Sequence, residues 1–158
     1  MRFFTPLLIV ATLASPLATL AANQHEHDGA APQKLELNAG KKWATDAPLR
    51  QAMTAIRSSV ATTLPAAHAG KASKADYDAL GREVTVQVAY MVQNCKLDPK
   101  ADAQLHAIIG DMMNGAEAAE GKQPDKSRAS GVVKIAQSLN TYGMYFDHTG
   151  WQAVKLPR

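Results

Sequence analysis

Apolar residues recur at helical spacing in four stretches of this chain, separated by polar or helix-breaking residues. In the first stretch Leu49, Met53, Ile56, Val60 and Leu64 follow one another at steps of four, three, four and four, which places them on one face of a helix. Asp46 is the N-cap candidate with Pro48 in the first turn, and Pro65 and Gly70 bracket the end. The second stretch starts at Ser73 and carries Tyr77, Leu80, Val84, Val88, Met91 and Cys95 as a heptad-like stripe, so Cys95 is expected on the apolar face. In the third, Asp98 offers a cap and Pro99 a first helical residue, and Ala101, Leu105, Ile108, Met112, Gly115 and Ala119 continue the pattern. After the breaker Gly121 to Asp125, the fourth carries Val132, Ile135, Ala136, Leu139, Gly143 and Phe146, with an end expected near His148 to Gly150. Each stretch is about 19 to 23 residues, or roughly 30 Å as helix. Similar lengths and short links predict an all-α fold, an antiparallel up-down-up-down four-helix bundle over residues 45–150. Thr85 to Val88 alone has strand composition, but the helical stripe runs through its flanks.

The first 22 residues read differently. Met1 and Arg2 supply a positive start, Phe3 to Leu13 an apolar run, and Ser15 to Ala22 a small-residue cleavage stretch. Residues 1–22 are therefore expected to be a signal peptide, removed after Ala21 or Ala22, which makes the mature protein periplasmic or secreted. Residues 23–44 read as a flexible arm holding His25 and His27, with Leu35, Leu37 and Trp43 expected to dock on the bundle, and residues 151–158 as a C-terminal tail. No second long apolar segment is present to span a membrane.

Composition narrows the function. Taking 22 residues from 158 leaves 136, enough for one domain with its own core. The formal charge of +3 includes Arg2, and the remainder is dispersed among alternating acids and bases with no basic run between aromatics, so no nucleic-acid partner is expected. Cys95 is the single cysteine, which excludes an intramolecular disulfide, a C-x-x-C-H haem attachment and a multi-cysteine zinc cluster. No H-E-x-x-H, G-x-S-x-G or phosphate-cradling G-x-x-x-x-G-K-[ST] segment occurs, and repeated Glu-x-x-His pairs for a di-iron centre are missing, so no enzyme is expected.

In an up-down bundle the start of the first helix, the end of the second, the start of the third and the end of the fourth share one pole. Met53, Met91, Cys95, His106, Met144 and His148 all fall toward it. Thiolate and thioether donors combined with imidazole favour copper, Cu(I) in particular, and Met91, Cys95 and His106 are the candidate ligands, assisted by His25 and His27. The same methionines and cysteine at stripe positions are also ordinary core packing, and His106 also reads as a boundary histidine satisfied by Asp102. If cleavage follows Ala22, the new amino group, two backbone amides and the His25 imidazole form a square-planar set suited to Cu(II) or Ni(II). Cleavage after Ala21 removes that set.

Leu49, Met53, Ile56 and Val60 near the start of the first helix, with His148 at the end of the fourth, resemble cytochrome b562. That resemblance implies a non-covalent b-type haem held between Met53 and His148, with Tyr142 or Phe146 against the macrocycle, and a role in electron transfer. The stretch Asn94 to His106 (NCKLDPKADAQLH) is similar to small exported proteobacterial helical proteins without established activity, which implies a bundle and names no reaction. The leading expectation is a copper-handling periplasmic bundle whose partners are the metal ion and a redox or metallochaperone protein. A haem-binding electron carrier and a metal-free interaction or envelope-stress module are the alternatives.

Overall fold

Four side-chain caps open the four helices of the described residues. In the computed structural model, which describes residues 34–157, the Asp46 carboxylate accepts the Leu49 amide at 2.9 Å and starts α1 (Ala47–His68). Ser73 and Asp76 form a reciprocal capping box at α2 (Lys74–Asn94). Asp98 accepts the Lys100 amide ahead of Pro99 in α3 (Pro99–Ala119), and Ser127 accepts the Ser130 amide ahead of α4 (Arg128–Tyr145). The leader 1–22 and the arm histidines His25 and His27 lie outside the described residues.

The helices form an antiparallel up-down bundle in which each packs on its sequence neighbour and α1 closes against α4. The expected stripes supply the core: Leu49, Met53, Ile56, Val60 and Leu64 are buried from α1, and Leu105, Ile108 and Met112 from α3. α1 differs from expectation at its end, because it continues through Pro65 to His68. A proline there forgoes one main-chain hydrogen bond in the last turn, and the capping bond from the Ala69 amide to the Pro65 carbonyl closes the helix. α3 and α4 meet where side chains are smallest. A Cβ built on Gly131 would strike the backbone of Ala119 and Gly115, so the two helices approach to main-chain contact.

α4 also departs from expectation. It stops at Tyr145 rather than near His148, and Tyr142, not Gly143, takes the core position after Leu139. The reason is a pairing distant in sequence. Trp43–Ala44 (β1) and Phe146–Asp147 (β2) form a two-residue parallel pair, with Trp43 opposite Phe146, and the chain becomes extended to make it. Further bonds fix the entering segment: the Trp43 indole donates to the Glu36 carbonyl at 2.7 Å, Thr45 Oγ1 to the Asp147 carbonyl at 2.7 Å, and Lys42 Nζ to the Gly143 carbonyl at 2.6 Å. After β2 the chain is held by Asn140, whose amide side chain both donates to the Val154 carbonyl and accepts the Val154 amide. No helix among the described residues is long and apolar enough to cross a membrane.

Candidate functional site

The pole where α2 hands over to α3 is organised by Asp46. One carboxylate oxygen caps α1, and the other accepts the Lys96 amide at 2.7 Å, fastening the α2–α3 connection to the start of α1. Cys95 is the C-cap of α2, with its own amide donating to the Met91 carbonyl at 2.9 Å. It therefore stands just past the helical stripe, half-buried. Three residues later Asp98 and Pro99 start α3, which carries His106 two turns in.

This short link brings Met91, Cys95 and His106 to one open groove of about 390 Å³, lined also by Asp102, Leu105 and Ile109. Met91 is buried, Cys95 half-buried and His106 exposed, so the groove grades from a dry thioether to a solvated imidazole. His106 Nδ1 lies 2.9 Å from the Asp102 carbonyl, which can only accept, so Nδ1 carries the proton and the neutral ring keeps its lone pair on Nε2. A backbone carbonyl or carboxylate holding the non-ligating nitrogen is the usual support of a metal-binding histidine. The Asp102 carboxylate stands 3.4 Å from the same nitrogen.

Burial first, then the charges of Asp46 and Asp102, pushes the Cys95 thiol up to about 12. At neutral pH it is protonated, and any metal taken by the sulfur must displace that proton. Among the described residues no three His, Cys, Asp or Glu side chains stand close enough to hold a metal ion. A centre in this groove thus needs the Met91 thioether alongside Cys95 and His106.

Met53 and His148 occupy different settings. Met53 is fully buried in the core on α1. His148 turns inward beyond the end of α4, where its Nδ1 shares a 3.0 Å hydrogen bond with the Tyr142 hydroxyl. Burial, and secondarily the Arg50 charge, holds the His148 imidazole below its ordinary value, so the ring is neutral at pH 7. Tyr142 stacks on Phe146 with centroids 5.2 Å apart and meets Trp151 edge-on at 4.9 Å. Neither Met53 nor His148 lines any of five surface cavities of about 380 to 560 Å³ formed by the described residues.

No protein family, curated protein or solved structure matches the chain.

Two participants were not visible in the periodicity. Asp46 reads locally as a helix cap, and its closeness to Cys95 exists only once α1 and the α2–α3 link pack together. Trp151 sits beyond the last helical stripe, and its packing on Gly143 and Tyr142 depends on the extended turn after Tyr145.

Proposed function

We propose that the protein is exported and binds a copper ion, Cu(I), in the groove between the end of α2 and the start of α3. Cys95 Sγ, Met91 Sδ and His106 Nε2 act as ligands in a carrier or buffering role rather than a catalytic one. The observation that supports this reading most directly is that these three side chains, from two helices and their connection, line a single groove. Two sulfurs and an imidazole select a soft monovalent ion over hard cations. The Asp102 carbonyl supports the histidine tautomer that ligation needs. Asp46 and Asp102 add negative charge near the sulfur, which offsets the ion's positive charge. A metal-donating or metal-accepting protein would be the natural partner of an open groove of this kind.

The test is anaerobic titration of the metal-free mature protein with Cu(I) against a chromophoric competing chelator. One ion per chain is expected, with affinity falling at least tenfold in Cys95→Ser and in His106→Ala, and less in Met91→Leu. Affinity should also rise about tenfold per pH unit where one thiol proton is released per ion. Absence of competitive binding, or binding that all three variants leave unchanged, would sink the reading.

A further inference from the structure

The largest of the five described cavities lies away from the copper groove, along the second half of α1, and one of its walls is the chain after β2. It holds about 560 Å³, within the roughly 300–1,000 Å³ that small-molecule sites occupy. Leu64, Pro65, Val154 and Leu156 give it an apolar lining, and Arg57, His68 and Lys155 are its ionisable residues. Among the described residues no carboxylate lines it, and neither Arg57 nor Lys155 makes an ion pair.

The wall is built, not draped. Asn140 grips both the amide and the carbonyl of Val154, and Arg57 Nε donates to the Gln152 carbonyl, so side chains of α1 and α4 hold the segment by its main chain. Leu64 and Val154 are buried at its base, whereas Ala61 and Leu156 are exposed along it. An apolar trough with two cations that no described carboxylate pairs is complementary to a ligand with an apolar chain and one negative head.

We propose that this groove binds a single-chain anionic amphiphile, a fatty carboxylate, with its alkyl chain on Leu64, Val154 and Leu156 and its carboxylate beside Arg57 and Lys155. The site is independent of copper. Ala61, on the solvent side of α1, offers a way to fill it without touching the core.

The experiment is titration of the full mature chain, followed by amide chemical shifts, with dodecanoate, dodecyltrimethylammonium and dodecyl maltoside, each below its micelle concentration. Dodecanoate is expected to saturate at one per chain, at least tenfold tighter than the cationic amphiphile, with shifts confined to α1 and residues 152–157. Ala61→Trp should abolish binding. Leu156→Asp, on the exposed wall, should weaken dodecanoate at least tenfold and reverse the charge preference even if the tryptophan variant folds poorly. The proposal is overturned by no dodecanoate binding, by equal binding of all three amphiphiles, or by binding that Leu156→Asp leaves intact.

Discussion

Cys95 shows how a single side chain takes its chemistry from its surroundings. A lone thiol is ordinarily open to oxidation through its thiolate, but here burial and two carboxylates push the group up to about 12. Alkylation of the metal-free protein should therefore be slow at pH 8 and climb steadily with pH up to about 12, whereas the unfolded chain should level off near 9. Asp46→Asn tests the carboxylate's part. Asparagine caps a helix as well as aspartate does, so α1 should keep its start, while the charge beside the sulfur is lost together with the oxygen that accepts the Lys96 amide. Alkylation at pH 8 should then quicken, yet remain slower than in the unfolded chain, because burial is the larger cause. An Asp46→Asn rate equal to that of the wild-type protein would remove the carboxylate from the account.

At the scale of elements, two glycines make opposite predictions. Gly131 on α4 faces the backbone of α3 at main-chain distance, and a methyl group there forces the helices apart, so Gly131→Ala should destabilise by about 1–3 kcal/mol in urea unfolding. Gly110 on α3 has open space where its Cβ would be, and Gly110→Ala should stabilise by about 0.5–1 kcal/mol through the gain in helix propensity. Helix starts were legible in the sequence because their caps are local chemistry: Asp46, Ser73 and Asp98 each bond to an amide two or three residues ahead. The end of α4 was not legible, since Phe146 fits the helical stripe and leaves it only to pair with Trp43, a hundred and three residues earlier in the chain. The grouping of Met91, Cys95 and His106 could be anticipated because the link from Cys95 to Pro99 is too short to separate them. The contribution of Asp46 to that site could not, because it depends on how α1 packs against the link.

For the whole molecule, the same pole that carries the candidate copper groove should set the pH range in which the fold is most stable. His148 is held below its ordinary value of 6.5, so the native state keeps the ring neutral while the unfolded chain protonates first. Stability is thus fully present above about 6.5 and is lost as pH falls below it, until native His148 itself takes a proton. Cys95 and Tyr142 are both raised, chiefly by burial. Above about pH 9 the unfolded chain loses these protons while the native state retains them, so stability falls again as pH rises toward 12. Asp76 and Asp78 are held below their ordinary 3.8 by hydrogen bonds from Ser73 and Lys74, and their contribution disappears only at more acid pH. Urea midpoints of the metal-free protein should consequently form a plateau between about pH 6.5 and 9 with a shoulder on each side. His148→Gln should flatten the shoulder that begins below about pH 6.5 and leave the alkaline one. Cys95→Ser should soften the alkaline limb without touching the acid one, and because Tyr142 also titrates there, some slope should survive. An acid shoulder that persists unchanged in His148→Gln would assign it to carboxylates instead, and would detach the stability of the pole from the Tyr142–His148 hydrogen bond.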